Sequence, residues 1–270
     1  MTFNIRYDTP KDSMNSWEHR KDFAASYLPF YDLDICGMQE TLVQQCQYLD
    51  SVLEDYSYIG VGRDDGKEKG EFSPIFYNHT RLKPLESGTF WLSESPAVPG
   101  KAWDANLPRI VTWAKFKWKG RARSFYVFNT HFDHQGVIAR RESATLLLTK
   151  VKEIAGDKNA IITGDFNTSH MPIDLKNAKA NEKTSGFMPE EREWVQKFLD
   201  NGFVDIFRHL YPEKVQYTWW TYRLNARARG IGWRLDYFLI SEALVPRVRD
   251  VVIHENVLGS DHCPVELILE

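Results

Sequence analysis

Cysteine is scarce in this chain, and neither sign of charge dominates it. The three cysteines (Cys36, Cys46 and Cys263) lie far apart, match no zinc spacing and cannot all pair, so a disulfide framework is excluded. No run of about 18 apolar residues occurs, and no membrane-spanning helix is expected. The start, MTFNIRY, lacks the basic segment and apolar core of a secretory signal. Free cysteines without a signal point to the cytoplasm, although an abrupt start on a strand is also what removal of a leader would leave. Glycine (16) and proline (12) are too few for a collagen-like or low-complexity chain. No internal period and no Gly/Ser linker divides the sequence.

What remains has globular proportions, with 43% hydrophobic and 26% charged residues over a length of 270. That length allows one large domain or two small ones, and the uninterrupted run favours a single domain over 1–270. The net charge of −3 argues mildly against a nucleic-acid partner, because neutralising phosphates drives such binding. Nine tryptophans and 14% aromatic residues are the makings of a large core.

Alternation around Phe3, Ile5 and Tyr7 predicts a strand over 1–8, followed by a helix over 17–32 that carries Pro29. A buried strand is expected over 34–39, ending on Glu40, then a helix over 41–55. Residues 61–72 are Gly-rich and charged and read as a solvated loop. Short strands are expected over 73–78, 81–85 and 88–92, and a proline-containing loop over 93–107. Residues 110–117 and 123–130 read as a strand pair around Gly120, 138–155 as an amphipathic helix, and 160–163 as a short apolar strand. The polar stretch 166–188 is long enough to suggest a functional loop. A helix over 189–202 opens on proline and closes on glycine. Strands near 233–240, 248–253 and 264–269 complete an α/β domain built around packed sheets.

Polar residues collect at the ends of these strands. Asn4 lies in the first, Glu40 ends the second, Asn129 and His131 end FYVFNTH, and Asp165 and Asn167 follow AIITG. Asp236 sits inside GWRLDYFLI, and Asp261 and His262 precede the last strand. Carboxylates gathered on one rim suit a hard divalent cation such as Mg²⁺ (or Mn²⁺). Each alone has a plainer reading: Asp-Phe-Asn after Gly is an ordinary turn, and Asp-His before Cys-Pro an ordinary loop. Asp236 resists that reading, because a carboxylate between Leu235 and Tyr237 needs a partner if buried. His262 is the natural candidate for a carboxylate–imidazole pair.

Taken in order, TFN, MQE, NTH, GDFN, WRLDY and SDH resemble the endonuclease/exonuclease/phosphatase superfamily along the whole chain. The resemblance implies a four-layer α/β sandwich, two packed mixed sheets flanked by helices, and metal-assisted hydrolysis of phosphodiesters. It implies that Asn4 and Glu40 contact phosphate and metal, that Asp165 activates water beside Asn167, and that Asp261 lies on the metal side. His262 would contact the scissile phosphate, with Asp236 orienting it. The identity of the general base stays open.

Two branches of that superfamily are recognisable. From about Gly164 onward the chain resembles exonuclease III-type abasic-site endonucleases, with Trp219, Trp233 and Leu235 where that group lines its abasic-sugar pocket. Asn225 and Arg227 fall in its DNA-facing NAR segment. Upstream, Glu71 and His131 are similar to the Glu–His pair of the DNase I, deadenylase and small-molecule phosphodiesterase branches. The N-G-I-R-A motif of the exonuclease III type is replaced here by Asn4-Ile5-Arg6. This mismatch suggests an engineered chimera joined somewhere between about residues 140 and 170. The expected function is that of a DNA nuclease acting at abasic sites or 3′ ends, working as a monomer away from membranes. The alternatives are a phosphodiesterase or phosphatase on small molecules or RNA ends, and a folded chimera without activity. Between Gly202 and Arg249, eight basic residues face four acidic ones, interleaved with Trp219, Trp220, Tyr222 and Trp233. The overall charge thus hides a local basic, aromatic segment suited to a nucleic-acid backbone.

Overall fold

The structure is a computed structural model that describes residues 1–156 and 158–270. In chain order its main elements are β1 (Thr2–Asn4), α1 (Trp17–Phe30), β2 (Ile35–Gln39), α2 (Val43–Val52), β3 (Tyr56–Ile59), β4 (Ile75–Asn78), β5 (Leu82–Trp91) and β6 (Ile110–Trp118). They are followed by β7 (Ser124–His131), α3 (Val137–Ala155), β8 (Ala160–Asp165), α4 (Pro189–Leu199), β9 (Phe203–Asp205), α5 (Ile206–Leu210), β10 (Asp236–Ser241), β11 (Val248–Ile253) and β12 (Val265–Leu269).

The strands form two six-stranded sheets, ordered β11-β12-β1-β2-β4-β3 and β5-β6-β7-β8-β10-β9. Each sheet is mixed: β1–β2 and β7–β8 are parallel, and the other pairs antiparallel. Helices α1 and α2 cover the first sheet through Trp17, Tyr27, Leu28 and Leu49 packed on Phe3, Met38 and Phe76. Helices α3 and α4 cover the second through Leu147, Val151, Trp194 and Phe198 packed on Phe128, Ile162 and Tyr237. Between the sheets lie Ile75, Ala114, Phe116 and Val127 on one side, and Ile161, Phe238, Val251 and Val265 on the other. The result is the expected four-layer sandwich, in which alternate residues of each strand face helices and the opposite sheet.

Several elements depart from the sequence reading for local reasons. Strand β1 stops at Asn4 because Arg6 is left-handed (φ 58°) and its N–H turns back to the Asn4 side chain. The two short strands expected over 81–92 are one strand, β5, whose register shifts between Pro84 and Glu86. Proline has no N–H for the ladder, and a bulge absorbs it. Strands β3 and β9 went unanticipated, both sheet-edge segments too short for a clear alternation. The polar stretch 166–188 is pinned rather than loose. Its Asp174 accepts from buried Arg234 (2.8 and 3.1 Å) and from Arg208, and Arg234 also reaches Asp205 (2.6 and 3.1 Å). No helix among the described residues is long and apolar enough to cross a membrane. All three cysteines are buried and free.

Candidate active site

Strand register does most of the assembly. His131 pairs with Asp165, which pairs in turn with Asp236, so three neighbouring strands of the second sheet present one row of polar side chains. Asn4 and Gln39 form the matching row in the first sheet, with Glu40 one residue beyond. Gly164 lets β8 approach β7 this closely: its φ is 139°, and a Cβ there would lie 1.9 Å from the Thr130 carbonyl oxygen. Three non-glycine residues around the rim, Arg6, Glu40 and Asn167, are left-handed with φ of 58°, 59° and 50°. Strain of this kind persists where the surrounding structure over-determines it, and it gathers at functional sites.

Asp165 is at the centre. The Asn4 side-chain amide donates to Asp165 Oδ2 (3.0 Å) and to Glu40 Oε1 (3.1 Å), so one nitrogen bridges two carboxylates. The Asn167 backbone N–H donates to Asp165 Oδ1 at 2.9 Å. His262 Nδ1 donates to Asp236 Oδ2 at 2.8 Å, and its Nε2 lies 3.4 Å from Asp165 Oδ2. Burial pushes Asp165 up to about 7, with Asp236 adding to the rise against the pull of His262. Burial would push His262 down, but Asp236 first and Asp165 second outweigh it and lift it to about 10. The pair therefore presents a carboxylate poised near neutrality beside a lasting imidazolium.

The sequence-derived residues converge, with four changes of role. First, Glu71 does not orient His131. It receives two hydrogen bonds from Arg63 (2.7 and 2.9 Å), and no hydrogen bond among the described residues joins it to His131. His131 instead accepts at Nε2 from Asn167 Nδ2 (3.0 Å), which also donates to the Phe132 carbonyl (2.9 Å). Burial, then Arg109 and Arg63, hold His131 well below its usual range, so it is neutral. Second, the Asn4 Oδ1 accepts from the Arg6 N–H and its amide nitrogen faces the carboxylates, so in this arrangement it ties Asp165 to Glu40. Third, Asp261 is engaged chiefly through one oxygen. Its Oδ2 accepts from Arg6 Nη1 (3.1 Å) and Trp219 Nε1 (3.3 Å), while the Ser260 hydroxyl, 3.3 Å from Oδ1, gives its proton to the Asn4 carbonyl at 2.7 Å. Fourth, Arg227 does not face outward for DNA: it caps the carbonyls of Glu255 (2.7 Å), Val257 (2.6 Å) and Ser260 (3.4 Å) and lies over Trp220. Asn225 beside it is exposed and left-handed.

Two places could hold a cation. Asp165, Asp236 and His262 offer ligand atoms within 4.8 Å of one another. That trio is buried, and the His262 imidazole hydrogen-bonds Asp236 Oδ2, which leaves Asp236 Oδ1 without a partner among the described residues. Glu40 is the better fit. It is part-exposed, and its oxygens meet only the Asn4 amide and the Tyr7 N–H (3.3 Å), leaving lone pairs free. One carboxylate plus waters and substrate oxygens is the donor set Mg²⁺ prefers.

Trp219 and Trp233 bridge to each other, and Trp219 also bridges to His262, with ring centroids 6.5 Å apart. Leu235 is buried next to them, and Gly186 lies against the Trp233 ring, 3.3 Å from where its Cβ would be. Trp219 thus stands beside His262, with Trp233 and Leu235 behind it. Arg6, Arg63 and Arg109 were not assigned from the sequence. Only the break in the N-G-I-R-A pattern hinted at Arg6. A separate cavity of about 780 Å³ opens between the sheets at the opposite end, by Ile35, Phe125 and Ile161, and contains none of these groups.

The Endonuclease/Exonuclease/phosphatase family matches residues 1–262. An exodeoxyribonuclease of Bacillus subtilis is 37% identical over 256 residues, 93% of both chains. The DNA repair nuclease APEX1 of Danio rerio is 51% identical over 113 residues, 42% of this chain and 36% of that one. Among solved structures, a mannosyl-6-phosphatase of Bacteroides thetaiotaomicron superposes with a TM-score of 0.79 at 31% identity, over 99% of this chain and 98% of that one. A sandwich with this row of strand-end residues, matched along nearly its whole length, belongs to the Endonuclease/Exonuclease/phosphatase family.

Proposed function

We propose that the protein is a Mg²⁺- or Mn²⁺-dependent DNA nuclease that cuts at abasic sites or trims 3′ ends. The observation that carries this reading is the wall of Trp219, Trp233 and Leu235 beside His262 and Asp165, a place for an extrahelical sugar next to the hydrolytic groups. The names of the exodeoxyribonuclease and repair-nuclease relatives support it. Bound at Glu40, a divalent ion would supply neutralisation of phosphate charge.

The chain's own residues account for the rest. Asp165, held by the Asn4 amide and the Asn167 N–H, orients and deprotonates the attacking water. The His262 imidazolium donates to a non-bridging phosphate oxygen as negative charge develops there, and Asp236 fixes the ring's orientation and its charge. Neutral His131 and the Asn167 amide line the opposite side of Asp165 and position the phosphate.

A second reading, a phosphatase or phosphodiesterase on small molecules or RNA ends, is favoured by the full-length likeness to a sugar phosphatase. Incubation with Mg²⁺ and a duplex carrying one abasic analogue separates the two. Incision at the lesion supports the nuclease. Turnover only of bis-p-nitrophenyl phosphate or a sugar phosphate overturns it, and turnover of neither would leave a folded but inactive chain. We also propose a joining of two parentages between about residues 140 and 170. It rests on the contrast between the exonuclease III-like motifs from Gly164 onward and the upstream Glu71 and His131. A natural gene product of uniformly high identity along both parts would overturn it. We further propose that the protein acts as a monomer in the cytoplasm.

A further inference from the structure

We propose that the Arg6 guanidinium occupies the place of a second cation, so that a single divalent ion binds per chain, at Glu40. Arg6 lies between two carboxylates. It donates through Nη2 (2.7 Å) and Nε to Asp12 and through Nη1 (3.1 Å) to Asp261. Two facing carboxylates on the rim of a phosphate-handling site are what a hard divalent ion would use. Here that gap is filled by a charge that cannot dissociate.

The arginine is also built in rather than draped over the surface. Its backbone is left-handed, and its carbonyl accepts from Arg20 Nη2 at 2.7 Å. Its guanidinium carbon lies 5.1 Å from the Tyr222 ring centre and 5.7 Å from that of Tyr7. Its side chain is only 21% exposed. Asp261 Oδ2 is correspondingly occupied by Arg6 and Trp219, while the Glu40 oxygens meet a single neutral amide and one backbone N–H. An arginine has five N–H donors, and three are engaged with Asp12 and Asp261. The two left over are available to a substrate phosphate oxygen, which gives the site a second fixed positive contact without a second metal.

The inference rests on the metal-dependent reading of the site, and the test separates the two. Mn²⁺ binding to the full chain is measured by titration calorimetry, with free Mn²⁺ counted by electron paramagnetic resonance. One ion per chain is expected for the wild type, and two for Arg6→Gln, in which Asp12 and Asp261 lose their cation. Asp261→Asn is expected to keep one ion with a Kd changed less than fivefold, and it decides the matter even if Arg6→Gln does not fold. Two ions in the wild type, one in a folded Arg6→Gln, or a larger loss of affinity in Asp261→Asn overturns the role of Arg6. No ion bound to the wild type overturns the metal-dependent reading itself.

Discussion

Replacing Asp236 by asparagine removes the charge beside His262 while keeping the volume. His262 Nδ1 lies 2.8 Å from Asp236 Oδ2, and its second nitrogen is 3.4 Å from Asp165. Burial alone would favour neutral imidazole, and it is these two carboxylates that raise the group to about 10. One carboxylate about 4 Å from a cation is worth on the order of 4 kcal/mol at an effective dielectric of ~20, or about three pH units. His262 should therefore fall to near pH ~7. As a charged donor it loses activity when pH rises through its pKa, so the basic limb of the kcat/KM profile should move down by about three units. Near pH ~8 roughly a tenth of the chains would still carry imidazolium, a drop of about tenfold from protonation alone. Asp165 feels two opposed changes, losing the Asp236 charge that raised it and part of the His262 charge that lowered it. The diagnostic is therefore the basic limb, whose displacement a plain loss of packing would not cause. The assay is Mg²⁺-dependent cleavage followed from about pH 5 to 10, with far-UV circular dichroism as a folding control. A basic limb that stays in place, with less than a threefold loss of kcat/KM near pH ~8, would refute the coupling.

Three further outcomes are expected. In the wild type, activity should rise through pH ~7 as buried Asp165 ionises; Asp165→Asn should erase that limb and leave under a tenth of the turnover, with melting unchanged. Glu40→Gln should weaken Mg²⁺ or Mn²⁺ binding by at least about tenfold in calorimetry; unchanged affinity would place the ion elsewhere. Asp174→Ala leaves buried Arg234 with Asp205 as its remaining carboxylate and should lower urea stability by about 1.5–3 kcal/mol, and a loss under ~0.5 kcal/mol would show the cluster to be dispensable. Asp174 is lowered to about 2, its arginine partners outweighing burial. Its contribution is therefore present above the ordinary carboxylate range and lost as pH falls through ~2, a dependence the variant should lack.

Much of the architecture is legible along the chain because it depends on local pattern. The alternation in FYVFNTH, the apolar run AIITG and the proline-to-glycine span of α4 each carry their own period and end signals. Edge strands β3 and β9 do not, since a three- or four-residue segment at a sheet margin has neither enough alternation nor enough burial to stand out. Residues 86–87 read as a break between two short strands, yet the sheet runs on through them with a bulge between Pro84 and Glu86.

The site divides along the same line. Strand-end position was readable, and with it the gathering of Asn4, Glu40, His131, Asp165, Asp236 and His262, because a parallel or antiparallel ladder carries strand ends to a common rim. Partnership was not. Glu71 turns to Arg63 instead of His131, Arg227 to three carbonyls instead of solvent, and Arg6 to Asp261 across 255 positions of sequence. The sequence by itself determined which chemical groups this protein brings to the edge of its sheets. Only the tertiary structure decided which of them hold one another, because a buried charge binds whatever the packing of distant segments sets within about 3 Å of it, and no local pattern records that distance.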